Sequence, residues 1–224
     1  MKGLVTVDSI NREIISCSLC KRLVTYTHHV GQNKVRRYSD QIYWAKPVTG
    51  FGDINSRLLI IGLAPGAHGA NRTGRLFTGD HSGQWLMRAL YETGFSNIPT
   101  SIAANDGLIL KDVFITSSLR CAPPSNKPLN SELLNCSKYL VKELELLRNV
   151  RVVICLGLIA FQSYCKINNL KKLQFYHLAN YKVNDNHLIA SYHPSRQNTN
   201  TNRLTWPMWM RVFDKAKTIL SSNI

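Results

Sequence analysis

Four apolar, β-branched runs punctuate the chain: RLLIIGL (57–63), DVFITSSL (112–119), VRVVICLG (150–157) and HLIASYH (187–193). They read as strands. Between and after them the spacing of apolar residues changes to that of helices. In 82–94, Trp85, Leu86, Ala89 and Leu90 share one face, and in 130–147 Leu133, Cys136, Leu140 and Leu144 recur at helical intervals. LIAFQSYC (158–165) predicts a third helix and 205–220 a fourth. Strands alternating with helices predict a parallel sheet covered on both faces. In such sheets ligands bind beyond the C-terminal ends of the strands. Each unusual loop lies at such an end: GLAPG after the first run, RCAPPSNKP after the second and HPSRQNTNTNR after the fourth. Their convergence on one edge is the first expectation of a site.

The length, 224 residues, suits one sizeable α/β domain. The start, MKGLVTVDSINREIIS, places Asp8, Asn11, Arg12 and Glu13 where a signal peptide needs an apolar core, and no run is long enough for a membrane-spanning helix. A soluble intracellular protein, with no membrane partner, is expected. Lys and Arg outnumber Asp and Glu by 28 to 13, a net charge of +15. Such an excess suits a polyanion, most simply nucleic acid. Arg72, Arg75, Arg196 and Arg203 lie in loops rich in Gly, Asn, Ser and Thr, where an arginine can reach phosphate with little obstruction. With Ser195 and Gln197 they form the candidate DNA contacts.

Six cysteines change the picture again. Cys155 and Cys165 sit in apolar surroundings and read as core residues. Cys17 and Cys20 form CSLC, while Cys121 and Cys136 stand singly downstream. An intracellular chain seldom keeps structural disulfides, so CxxC points to a metal or a redox dithiol. No strand precedes CSLC, which weakens the dithiol. Four thiolates could hold zinc or an iron–sulfur cluster; the absence of a second close pair leans toward a cluster. Its expected role is structural, pinning the N-terminal segment to the domain.

The loop GLAPGAHGANRTGRLFTGD (62–80) is neither GxGxxG nor a P-loop, so no nucleotide cofactor is expected. Pro65 and Gly66 predict a tight turn, and Gly69, Gly74 and Gly79 would let backbone approach a ligand. Phe77 could pack in the core or offer a face to a base. Asp80 could cap the following helix or orient a water. His193, at a strand end, could be a core histidine but is better read as facing a ligand. Asn126 could stabilise a turn or present its amide to a base.

Together YWAKPVTGFGD (43–53), GLAPGAHGANRTGRLFTGD (62–80), RCAPPSNKP (120–128) and HPSRQNTNTNRLT (193–205) resemble the uracil-DNA glycosylase superfamily, in particular its type b, or family 5, prokaryotic enzymes. The resemblance implies a three-layer α/β/α sandwich with a four-stranded parallel sheet, one domain over 1–224, and a [4Fe–4S] cluster held by Cys17, Cys20, Cys121 and Cys136. It implies a cytoplasmic, nucleoid-associated enzyme that removes uracil, and also hypoxanthine and xanthine, from DNA. A monomer is the default. Type a members carry GEAPG and the uracil enzymes first described carry GQDPY; here Leu63 and Ala64 stand at the corresponding positions and neither can act as a base. The asparagine that reads uracil in type a enzymes aligns with Ser117, and Asn126 would replace part of its function.

On this reading the nucleotide is flipped out of the duplex. Gly62, Ala64, Pro65, Gly66, His68, Phe77, Asn126 and His193 would receive the base, with Phe77 stacking on it. His193 and the N–H groups of 64–68 would meet charge developing on the departing base. Asp80, His68 or main-chain carbonyls would position water. Arg196, Gln197 and their loop would enter the vacated space. A non-catalytic binder of damaged or single-stranded DNA on the same fold is the alternative.

Overall fold

A computed structural model describes residues 6–222 of the chain. The four apolar runs form the centre of one sheet: β2 (Leu58–Gly62), β3 (Val113–Ser117), β4 (Val152–Leu156) and β6 (Asn186–Ser191). All four are parallel, in the order β3-β2-β4-β6. The sheet is wider than the four strands expected. Two short antiparallel strands, β1 (Phe51–Gly52) beside β3 and β5 (Asn180–Val183) beside β6, extend it to six. β1 is only two residues long, and β5 is polar along most of its length, so neither leaves an apolar run in the sequence.

The alternation of side chains along the strands sorts them into two cores. Leu58 and Ile60 of β2 join Leu86 and Leu90 of α4 (His81–Glu92) and Trp209 and Phe213 of α8 (Trp206–Ser221). Leu59 and Ile61 join Leu140 of α5 (Asn130–Leu146) and Phe161 and Tyr164 of α6 (Leu158–Ile167). Every residue of β2, β3 and β4 is buried, which is why their sequences are continuously apolar rather than alternating. Burying one such aliphatic side chain stabilises by about 1.5–3 kcal/mol. The layers are helix, sheet, helix, as expected. Cys155 and Cys165 lie in the α5–α6 core, as their apolar neighbours implied.

Two helices precede the sheet. α1 (Val7–Ile15) begins at a Thr6–Ser9 capping box and buries Ile10 and Ile14. α2 (Lys21–Gln32) buries Leu23, Thr27 and Val30 on one face. Both lean on α5: Glu13 pairs with Lys142, and Arg22 makes two hydrogen bonds to Glu132, at 2.8 and 2.7 Å. Their apolar stripes are only two or three residues each, too short to stand out beside the long runs of the core.

Candidate active site

β2 runs into the glycine-rich loop at the point where the chain reverses its winding: β3 lies on one side of β2 and β4 on the other. That is where open α/β sheets bind ligands. The loop after β3 is fastened to the start of the β2 loop, Ser118 N–H to Gly62 O at 2.9 Å and Leu119 N–H to Leu63 O at 2.9 Å. From the other side the β6 loop brings His193 into a stacked arrangement with Phe77, ring centres 6.1 Å apart and 28° between planes. The convergence expected of the three loops is therefore observed, with the β2 loop in the middle.

Within the β2 loop, Phe77 is 9% exposed and has φ of 49°, a left-handed conformation that costs an aromatic residue strain. Its ring lies over Gly62, where a Cβ would come within 2.8 Å of the ring. Phe77 thus belongs to the core and still turns one side toward His193. The His193 main chain is clamped by Asn198, whose side-chain amide donates to His193 O at 2.8 Å. No described residue hydrogen-bonds the imidazole. Some of its surface stays accessible, yet the surrounding atoms desolvate it and push its pKa down to about 4. At neutral pH it is an uncharged imidazole with one N–H to donate and one lone pair to accept.

Asp80 does two things at once. Its Oδ1 accepts from Gly83 N–H at 2.8 Å and caps α4. Its Oδ2 lies under the glycine loop: a Cβ on Gly66 would stand 2.9 Å from it, and one on Gly69 would collide with it. Burial raises the Asp80 pKa, while the N–H groups of Gly83 and Ser82 oppose that. Above it, the N–H groups of Ala64, Gly66, Ala67 and His68 donate to no described residue. They form a set of main-chain donors of the kind that holds anions.

His68 accompanies them. Its Nδ1 lies 3.1 Å from the Tyr43 hydroxyl. Burial, then the Arg72 charge, lowers its pKa, so it too is neutral near pH 7. Tyr43 was not singled out from the sequence, although it opens one of the four matching segments. His81 was also missed. Its Nε2 meets Thr199 Oγ1 at 2.9 Å, tying the start of α4 to α7 (Arg196–Asn200), the short helix that follows His193. Nothing in the spacing of these residues announces such pairings.

Other expectations need correction. Arg75 is not a surface arginine: it pairs with Asp106 at 2.8 Å and donates to Thr78, Ser101 and Ala104 O. Burial pushes the Asp106 carboxyl up, but bonds from Arg75 and the main chain outweigh it and hold the pKa below the usual range. Arg72 also faces inward. It donates to His68 O, Gln41 Oε1 and Gly79 O and lies over the Tyr38 ring at 4.0 Å. Both serve as struts, Arg72 through carbonyls of its own loop and Arg75 through acceptors supplied by residues 101–106. Gly69, Gly74 and Gly79 are covered by Asp80, Trp44 and Arg72 of this same chain rather than bared for a ligand. Ser117 spends its hydroxyl on Leu119 O at 2.7 Å. Arg196, Gln197 and Arg203 are exposed, as expected, and Arg203 lies over Tyr192 at 4.8 Å. Ser195 caps α7 through its hydroxyl. Asn126 is exposed on the turn after β3, with φ of 56° and its side chain bonded to no described residue.

Cys17, Cys20, Cys121 and Cys136 all line one small pocket, partly open to solvent. Leu23, Pro47, Arg120 and Tyr139 complete its wall. Among the described residues no group of three or more His, Cys, Asp and Glu side chains is arranged to hold a metal ion. The chemistry of the pocket nevertheless suits an anionic, sulfur-bearing group. Burial raises Cys121 to about 12 and Cys136 to about 11, and the neighbouring thiols add to both shifts. These two thiols need a cationic partner to ionise. Arg120, 1% exposed, uses its terminal nitrogens on Thr116 and Glu143, and its buried Nε–H has no partner among the described residues. Asn135 donates to the Cys20 sulfur at 3.5 Å.

The fold is a three-layer α/β/α sandwich whose three strand-end loops meet at this switch point, with His193 against Phe77. Comparison with known proteins agrees. The family model of the uracil DNA glycosylase superfamily matches residues 49–216. The chain is 47% identical over 213 residues to the type-5 uracil-DNA glycosylase of Thermus thermophilus, covering 94% of this chain and 96% of that one. It is 45% identical to the type-5 uracil-DNA glycosylase of Pyrobaculum aerophilum (93% and 91% covered) and 42% identical to that of Mycobacterium leprae (96% and 96%). The chain belongs to the uracil DNA glycosylase superfamily.

Proposed function

We propose that this protein hydrolyses the N-glycosidic bond of uracil in DNA, leaving an abasic site, and that hypoxanthine and xanthine are further substrates. The observation that carries the chemistry is the His193 ring stacked on Phe77 of the loop whose Ala64, Gly66, Ala67 and His68 N–H groups donate to no described residue. Cleavage leaves negative charge on the departing base. Fixed donors in a desolvated site stabilise such charge, each by about 2.7–4 kcal/mol. A neutral His193 donates a hydrogen bond without losing its proton. Phe77 supplies the apolar floor against which the extruded base stacks. Asp80 Oδ2, under the same loop, accepts from the attacking water and holds it toward the sugar, with His68 fixed by Tyr43 as a second acceptor or donor. Neither Leu63 nor Ala64 takes part in proton transfer, so the acid at the far end of the loop does the work. Arg196, Gln197 and Arg203 meet the phosphates, and Asn126 offers its amide from the turn after β3.

Cys17, Cys20, Cys121 and Cys136 would hold a [4Fe–4S] cluster, with the Arg120 Nε–H and the Asn135 amide as hydrogen-bond donors to its sulfurs. When bound, the cluster supplies a fixed cross-link between the N-terminal helices and the body of the domain. Purified protein would then be brown and carry four iron atoms per chain.

The activity is tested with duplexes bearing a single uracil, hypoxanthine or xanthine, incubated with the protein and then cleaved at abasic sites with alkali. Breaks at uracil establish the glycosylase, and the other two duplexes rank the bases. A gel shift without breaks would make the protein a binder.

A further inference from the structure

The most exposed large apolar residue described is not on a helix face or a sheet edge. Ile42 is 93% exposed, in the segment that leads from α2 to the sheet. A lone exposed aliphatic is ordinary; the way this one is held is not. Gln41 on one side accepts from Arg72 at 2.7 Å, and Tyr43 on the other meets His68 at 3.1 Å. Trp44 N–H donates to Arg72 O at 2.9 Å and Ala45 N–H to Asn71 O at 3.0 Å. The Trp44 ring covers Gly74 and its Nε1 donates to Pro47 O. The chain around Ile42 is therefore fastened to the glycine-rich loop on both sides, and the Ile42 side chain projects furthest from it. Its surroundings are basic. From Lys21 to Ser39 the sequence has no acid; Lys34, Arg36 and Arg37 precede Ile42, Asp40 stands two residues before it, and Lys46 follows, its ammonium 5.5 Å from the Trp44 ring centre. Arg37 and Arg72 both lie over Tyr38, at 5.3 and 4.0 Å.

A rigid apolar tip among cations, built onto the loop that receives the base, fits the stacked bases of duplex DNA. We infer that Ile42 is an apolar wedge that presses between base steps beside the extruded nucleotide, while Arg36, Arg37 and Lys46 hold the flanking phosphates. This rests on the proposed glycosylase reading. Apolar side chains that unstack a base step spend a few kcal/mol to stabilise deformed DNA. In a single strand there is no duplex to open, so the wedge has nothing to do there.

The test compares uracil release from single-stranded and duplex oligonucleotides of one sequence. Ile42→Ala should lose about tenfold in kcat/KM on duplex and keep the single-strand rate, while Ile42→Leu should keep both. A duplex with 2-aminopurine next to uracil should show a smaller fluorescence rise on binding Ile42→Ala than on binding the parent. Equal loss on both strand forms, or no loss on duplex, overturns the wedge. Absence of release from both strand forms by the unsubstituted protein would instead sink the glycosylase reading.

Discussion

Two loops carry arginines to the same edge of the sheet and use them in opposite ways. In the β2 loop, Arg72 and Arg75 turn inward and brace main-chain carbonyls and one partly buried carboxylate. In the β6 loop, Arg196 and the nearby Arg203 stay exposed. Both loops are made largely of small and polar residues, Gly-rich in the first and Asn- and Thr-rich in the second, and neither marks its arginines as buried or exposed. The difference lies in what surrounds them. Residues 101–106 fold over Arg75 and supply Ser101, Ala104 O and Asp106, whereas no described acceptor reaches Arg196. A loop that must hold main-chain donors in place needs struts; a loop that meets phosphate needs its cations free.

Substitutions should separate the two, and between the arginines the larger effect is expected at a strut. Arg75→Ala leaves the partly buried Asp106 without its cation and Ser101 and Ala104 O without their donor, which should cost about 1–3 kcal/mol in stability. Denaturant unfolding measures it, and a loss confined to DNA affinity would mean that Arg75 faces phosphate after all. His193→Ala removes a donor to the departing base. Single-turnover base release should fall about 100- to 1,000-fold with little change in DNA affinity; equal losses in both would reduce His193 to a DNA contact.

The same histidine should leave a mark on stability. Its folded pKa of about 4 lies below the ordinary 6.5, so the unfolded chain takes up the proton first as pH falls. Stability from this site is present above pH 6.5 and is lost as pH drops toward 4, by on the order of 3 kcal/mol. His193→Gln should flatten that part of the pH profile, and an unchanged slope would contradict the burial argument. The smallest effect belongs to the exposed side: Arg196→Ala should leave the unfolding midpoint unchanged and lower the salt-dependence slope of DNA binding by about one. A shift in midpoint would show that this loop, too, is braced by its arginine.

The cysteine region makes a similar point about legibility. CSLC with two distant cysteines was readable as one site because thiols have few other uses inside a cell, and the fold does bring all four to one pocket. The partners that complete that pocket were not readable. Arg120 looks in the sequence like one more cation in a basic protein. Its burial beside Thr116, Glu143 and Cys136 depends on α5 packing across the ends of β3. Likewise Tyr43 reaches His68 only because the segment before the sheet folds back along the glycine loop.

By itself the sequence determined the four parallel strands, the four helices that cover them and the edge on which the strand-end loops converge. Apolar periodicity and strand-end loops are local signals, so they survive in one dimension. The tertiary structure alone decided which arginines are struts, that Asp80 caps a helix with one oxygen and faces the loop with the other, and that Ile42 stands exposed among cations. Those outcomes depend on which hydrogen-bond acceptors and apolar surfaces distant segments bring together, and residue type and spacing do not encode that.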